Sequence, residues 1–206
     1  MSNSDQEIEA KFYVTGLDGI KKRLHELEAH LIQERILETN IRFDLPDARL
    51  RSRGRVLRLR HDTEARLTYK GGSRNEQGVL SRTEIEFTVG DFDKAKMFLE
   101  ALGYQEMLRY DKFREVYELN GCHIMLDELP YGTFIEIEGE NVDAIRQTAE
   151  KIPLKWEAAI PQSYNALFET VKAILHLPFK DLTYENFAGI EVKPEQLGVT
   201  PADVYV

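Results

Sequence analysis

The tripeptide Glu-Ile-Glu occurs at residues 7–9, 84–86 and 136–138, each time in an alternating run ahead of a helix-period segment. In Glu7-Ile8-Glu9-Ala10-Lys11-Phe12-Tyr13-Val14, a strand puts Glu7, Glu9 and Lys11 on one face and Ile8, Ala10, Phe12 and Val14 on the other. The run Arg82 to Val89 repeats the device, with Arg82, Glu84 and Glu86 opposite Thr83, Ile85, Phe87 and Val89. Phe134 to Glu138 is a third copy. The copies are irregularly spaced, which excludes a solenoid. The helix after the first copy is expected to carry Leu17, Ile20, Leu24, Leu27 and Leu31 on its apolar stripe. The second carries Ala95, Phe98, Leu99 and Leu102, with Asp91 or Asp93 as its cap and Gly103 as its stop. The third carries Val142, Ile145, Ala149 and Ile152.

Shorter strands fill the gaps. Val56 to Arg60 places Arg58 and Arg60 together, Arg66 to Lys70 places Arg66 and Lys70 together, and Lys112 to Arg114 and His123 to Asp127 continue the style. Asp44 to Asp47 predicts a turn and Gly71 to Gly78 a mobile loop. A last helix starts at Ser163, and from Pro178 the periodicity fades. The expected organisation is one domain over 1–177 and a partly ordered tail over 178–206.

The charged faces together hold Glu7, Glu9, Glu84, Glu86, Asp127, Glu136 and Glu138 with Lys11, Arg58, Arg60, Lys70, Arg82, Lys112 and Arg114, seven acids and seven bases. For any single strand, a half-solvated antiparallel sheet accounts for this alternation. Repetition over most of the strands, with few neutral polar residues between, points instead to a sheet curled into a barrel with a polar interior. Crowded carboxylates repel unless a divalent cation sits among them. Crowded bases repel unless a polyanion does. A metal-bound polyphosphate meets both demands.

Composition narrows the classes. Lys and Arg number 27 against 36 Asp and Glu, a net charge of −9 that weighs against a general nucleic-acid binder. The basic run of Arg49, Arg51, Arg53 and Arg55 is expected to be solvated. One cysteine, Cys122, excludes an internal disulfide framework and a thiolate-cluster metal site. The five histidines lack paired metal spacing. The polar Met1–Gln6 start and the lack of an apolar run near ~20 residues lead to a cytoplasmic expectation without membrane contact.

These residues resemble the CYTH superfamily, the triphosphate tunnel metalloenzymes. Glu7-Ile8-Glu9-Ala10-Lys11 is similar to its E-x-E-x-K signature. Leu57 to Arg60, Leu67 to Gly71, Arg82 to Glu86, Lys112 to Arg114, Leu126 to Glu128 and Gly132 to Glu138 follow in family order. The resemblance covers residues 5–176 and is greatest to the class IV adenylate cyclase and thiamine triphosphatase branch. It implies an α+β fold, a closed eight-stranded antiparallel β-barrel with surrounding helices. It also implies Mg²⁺ or Mn²⁺, a small-molecule triphosphate substrate, and compatibility with a homodimer. Carried over by position, Glu7, Glu9, Asp127, Glu136 and Glu138 are metal ligands. Lys11, Arg58, Arg60, Lys70, Arg82, Lys112 and Arg114 hold phosphates, and Lys11, Glu84 and Glu86 are catalytic. The pattern departs at Asn40 and Arg42, where many relatives carry Asp and Tyr. In some triphosphatases that tyrosine positions the attacking water, a role Arg42 does not inherit.

Three functions remain open at this point. The first is a metal-dependent triphosphatase acting on inorganic, nucleoside or thiamine triphosphate. The second is an adenylate cyclase that forms cyclic AMP and pyrophosphate from ATP. The third, disfavoured by so many acids, is a non-catalytic polyphosphate-binding module.

Overall fold

In this computed structural model, which describes residues 6–76 and 79–203, the N-terminal alternating segment is strand β1 (Gln6–Val14), and it is paired on both edges. The other strands are β2 (His30–Asp44), β3 (Val56–His61), β4 (Ala65–Glu76), β5 (Val79–Val89), β6 (Gln105–Leu119), β7 (Cys122–Leu129) and β8 (Gly132–Glu138). They close in the order β1-β5-β4-β3-β2-β6-β7-β8, every pair antiparallel. The expected fold class is therefore observed.

Closure gives the strands an apolar outer face and a charged inner one, and on β5 the outward Ile85 and Phe87 stay exposed. The outward residues Ala10, Phe12, Val14, Ile124, Leu126, Ile135 and Ile137 pack under α1 (Asp18–Glu26) and α3 (Val142–Lys151), against Ile20, Leu24, Ile145 and Ala149. Each of the larger side chains among them contributes about 1.5–3 kcal/mol when fully buried. Helix α2 (Phe92–Ala101) covers Ile41, Phe43 and Leu59 with Leu99. Helix α4 (Tyr164–Leu175) covers Tyr131 and Phe134 with Leu167, Phe168 and Val171. Three helices start on side-chain caps, Asp91 for α2, Asn141 for α3 and Ser163 for α4, each accepting from a first-turn amide. No helix among the described residues is long and apolar enough to cross a membrane.

Four segments correct or extend the sequence reading. Helix α1 ends at Glu26 rather than running to Leu31. Glu28 adopts φ 55°, the Ala29 amide bonds back to the Leu24 carbonyl, and Leu31 is a strand residue opposite Tyr117. Strand β2 escaped notice because register shifts between Leu31 and Gln33 and between Gln33 and Ile36 scramble its alternation. Strand β6 is much longer than its Lys112–Arg114 core for lack of a clean period. The Gly71–Gly78 segment is a strand extension as far as Glu76. It has a register shift between Gly71 and Arg74, and Gly72 there takes φ +66°; Gln77 and Gly78 lie outside the described residues.

Residues 178–203 pack on the barrel. Leu182 exchanges backbone hydrogen bonds with Arg109 and Asp111 of β6, and the Ala202 amide donates to the Tyr13 carbonyl. Leu182, Phe187, Leu197 and Ala202 are buried, and the Thr15 amide donates to the Asp203 carboxylate at 2.8 Å. A short helix, α5 (Pro194–Leu197), lies in this stretch. Residues 204–206 lie outside the described residues, as do Met1–Asp5.

Candidate active site in the barrel lumen

Period-two geometry turns Glu7, Glu9 and Lys11 of β1 inward, and strand pairing turns their partners the same way. Glu9 faces Glu138 and Lys11 faces Glu136 across β1–β8, while Glu7 faces Arg82 across β1–β5. Lys70 faces Glu84 across β4–β5. The enclosed cavity has a volume of about 520 Å³. It is lined by every residue of the expected charged face except Asp127, which has the inward parity of His123 and Met125 but is fully buried beneath Lys112, Arg114 and Tyr164.

The charges form one alternating chain around the wall. Glu9 pairs with Arg82 at 3.0 Å, and Arg82 with Glu7 at 2.6 Å. Lys70 joins Glu7 at 2.7 Å to Glu84 at 2.8 Å. Arg58 lies 4.0 Å from Glu84 and 3.2 Å from Glu86, and Arg60 lies 3.0 Å from Glu86 and 3.4 Å from Glu38. Lys112 lies 3.5 Å from Glu38 and 2.9 Å from Asp127. Arg114 joins Asp127 at 2.6 Å to Glu136, and Glu136 meets Lys11 at 3.1 Å. Burial of so many charges is tolerable because each is paired and hydrogen-bonded.

The electrostatics divide the acids. Burial raises Glu7, but Lys70 and Arg82 outweigh it and bring its carboxyl to about 2. Burial likewise opposes Lys112, Arg114 and Arg60 at Glu38, which also falls to about 2. Glu9 moves the other way, raised by burial and by Glu136 and Glu7. Burial, then Glu7, Glu9 and Glu84, pushes Glu138 up to about 7. Among the described residues Glu138 has no base within ion-pair distance. The Glu9–Glu138 corner therefore carries unmet negative charge, and its all-oxygen donor set suits a hard divalent cation. Among the described residues, no three Asp, Glu, His or Cys side chains are gathered closely enough to hold a metal as they stand. Most of the acids are turned to bases instead.

One end of the lumen is covered by the segment entering α4. The Ile160 amide donates to the Lys11 carbonyl at 2.7 Å, and Ile160 to Asn165 line the cavity. The Tyr164 hydroxyl donates to Asp127 at 2.8 Å, and its ring centre lies 4.2 Å from Lys11 Nζ. Asp127 thus accepts from Lys112, Arg114 and Tyr164 together.

Sequence reasoning placed neither Glu38, Arg42, Asp62 nor Tyr110 in the site. All four line the lumen. The signal for two of them was present, since Glu38, Asn40 and Arg42 alternate with Leu37, Thr39, Ile41 and Phe43. His123 also lines the cavity, in register with Glu138. Arg66 is anchored to Asp62 at 2.7 Å and Glu64 at 3.1 Å. The Arg51, Arg53 and Arg55 side chains are exposed, as expected.

The CYTH domain family profile matches residues 5–163. A protein of Methanocaldococcus jannaschii with a provisional adenylate cyclase name is 28% identical over 134 residues, 64% of this chain and 75% of that one. A protein of Vibrio parahaemolyticus, also provisionally named an adenylate cyclase, superposes with a TM-score of 0.71 at 21% identity, covering 80% of this chain and 98% of its own. A Hippeastrum protein, named as an adenylyl cyclase candidate and described as revealing a dominant triphosphatase activity, gives a TM-score of 0.62 at 20% identity, covering 80% and 95%. At these identities the two structures speak to the fold.

Proposed function

The chain belongs to the CYTH domain family, and from that premise we propose that it is a divalent-metal-dependent triphosphatase acting on a linear triphosphate held in the barrel lumen. The observation that carries this reading is the ring of bases, Arg58, Arg60, Lys70, Arg82, Lys112, Arg114 and Lys11, lining one cavity of about 520 Å³. A triphosphate takes over the carboxylates' hydrogen bonds to these bases, and Arg forks suit phosphate oxygens. Glu84 and Glu86 hold Lys70, Arg58 and Arg60 in place, and Asp127 does the same for Lys112 and Arg114.

Glu9 and Glu138, with Glu7 and Glu136 beside them, would hold Mg²⁺ or Mn²⁺. When bound, such an ion neutralises phosphate charge and polarises a P–O bond. The chain's own part is positioning and charge stabilisation, the main demands of phosphoryl transfer. Water adds to a terminal phosphorus, the anhydride P–O bond breaks, and orthophosphate and diphosphate leave.

The names of the relatives favour a second reading, cyclisation of ATP, in which the ribose 3′-oxygen attacks the α-phosphorus and pyrophosphate leaves. One product assay separates the two. Purified protein is incubated with Mg²⁺ or Mn²⁺ and, in turn, inorganic triphosphate, ATP and thiamine triphosphate, and the products are resolved by ion chromatography. Orthophosphate release, stopped by EDTA, is the expected result. Cyclic AMP with pyrophosphate would replace the hydrolase by the cyclase. Turnover that survives EDTA would remove the metal from the reaction.

A further inference from the structure

Eight of the bases lining the lumen have a carboxylate within 4.0 Å: Lys11, Arg58, Arg60, Arg66, Lys70, Arg82, Lys112 and Arg114. Arg42 also lines it, and among the described residues no carboxylate comes that close to its guanidinium. Its register partner across β2–β3 is Arg58, so two guanidinium side chains stand side by side on this wall. The neighbouring pair is Asn40 with Arg60. Asn40 is completely buried, and neither its amide nitrogen nor its oxygen has a partner; Glu38 Oε2 and the Nε atoms of Arg58 and Arg60 also lack hydrogen-bond partners. Arg42 and Arg58 thus stand together on a stretch of β2 and β3 where buried polar atoms of both kinds lack partners.

We propose that Arg42 is an anion-binding residue of the lumen, whose guanidinium receives a terminal phosphate of a linear triphosphate. The proposal rests on the triphosphate reading of the site and adds to it a residue that the rest of the ring does not define.

Topology places Arg42 where a terminal group belongs. Strand β2 runs parallel in sense to β1, because every neighbour around the barrel is antiparallel and an even number of steps separates them. Arg42 lies two residues before the end of β2, on the side where β1 also ends. That is the side covered by the segment bonded to Lys11. Glu138, the last residue of β8, lies toward the opposite end, since β8 is antiparallel to β1. The lumen is thus polarised, with a surplus base toward the covered end and a surplus acid toward the other. A terminal phosphate bears more charge than a bridging one, so a linear triphosphate places an end at Arg42. A guanidinium binds it in bidentate fashion. Without an anion, burial and the facing Arg58 and Arg82 charges disfavour the Arg42 cation; Tyr110 and Asp44 favour it. Removing its charge therefore relieves the free protein while depriving the ligand.

The test uses the full chain as wild type, Arg42→Gln and Arg42→Lys. Binding of inorganic triphosphate is measured by titration calorimetry in EDTA and separately in CaCl₂, and melting temperatures are taken with and without ligand. The Gln variant is expected to bind about 10- to 100-fold more weakly, with a ligand-free melting temperature equal to or above wild type, and the Lys variant to recover part of the affinity. Affinity of the Gln variant within about twofold of wild type overturns the proposal. So does a ligand-free melting temperature lowered by more than about 5 °C with no recovery by Lys, which marks a structural role. Wild-type protein that binds no triphosphate in either buffer overturns this proposal together with the triphosphate reading. Wild type that binds but releases no orthophosphate with Mg²⁺ or Mn²⁺ overturns hydrolysis alone, and the variants still decide Arg42.

Discussion

Glu9 on β1 and Glu138 on β8 are register partners, two carboxylates set opposite one another on the wall of the barrel. Arg82 answers Glu9 at 3.0 Å. Glu138 has no such answer among the described residues, and burial together with Glu7, Glu9 and Glu84 holds its carboxyl up near 7. The pair concentrates negative charge at one corner of the lumen, toward the end opposite the unpaired Arg42.

Replacing Glu138 with Gln removes that repulsion without changing the side-chain volume. The ligand-free protein is expected to gain about 1 kcal/mol, about 2–4 °C in melting temperature for a chain of this size. The stabilisation that MnCl₂ gives the wild type is expected to disappear. Thermal melts with and without MnCl₂ read both effects. A variant stabilised by Mn²⁺ as much as the wild type would take the cation away from this corner.

Glu38 is the hinge of the opposite wall, joining Arg60 to Lys112 while almost wholly withdrawn from solvent. Its carboxyl lies at about 2 in the folded protein against 4.5 for the free group. A depressed value means that the ionised form is favoured by folding. The stabilisation, about 3 kcal/mol, is complete above the unfolded value and is lost as pH falls from about 5 toward 2. Glu38→Gln is expected to lower stability near neutrality by about that amount and to flatten the acid limb of the stability curve. Denaturant unfolding at several pH values tests this, and parallel curves for the two proteins would contradict it.

Arg58 donates to Thr68 and Glu86, both at 3.2 Å, from the wall facing the cavity. Its truncation to Ala is expected to weaken inorganic triphosphate binding by about 1.5–3 kcal/mol, the worth of a charge-assisted contact. Calorimetry gives the number directly, and unchanged affinity would move the phosphates to another wall.

The barrel was legible wherever alternation was unbroken. Glu7–Val14, Arg82–Val89 and Phe134–Glu138 each carry a full period-two pattern, and the lumen charges they supply are where parity sends them. It was illegible where a bulge shifts the parity. In β2 the irregularities at Leu31, Gln33 and Ile36 mask a fifteen-residue strand; Glu38 went unnoticed with it, and Arg42 stood out only as a departure from the family pattern. Tyr110 was hidden for another reason. A lone aromatic in a charged strand has the same pattern as a core residue, and only closure of the barrel brings its phenol among Arg58, Lys112 and Arg42. The packing of residues 178–203 was out of reach too, because scattered anchors such as Leu182, Phe187 and Ala202 follow no period.

Tyr164 joins the helical layer to the site, and two variants can separate its two contacts. Its hydroxyl donates to Asp127, which in turn holds Lys112 and Arg114; its ring lies under Lys11. Tyr164→Phe keeps the ring and removes only the hydrogen bond to a buried carboxylate, so kcat/KM for triphosphate is expected to fall about 10-fold. Tyr164→Ala also removes the cation–π contact, worth about 0.5–2 kcal/mol, and opens space at the covered end of the lumen. Its loss is expected to exceed that of Phe by several-fold. Steady-state kinetics on both variants, with melting temperatures as a control for folding, measure the difference. If the Phe variant matches the wild type, Asp127 orients Lys112 and Arg114 without the hydroxyl, and α4 acts on the site through the ring alone.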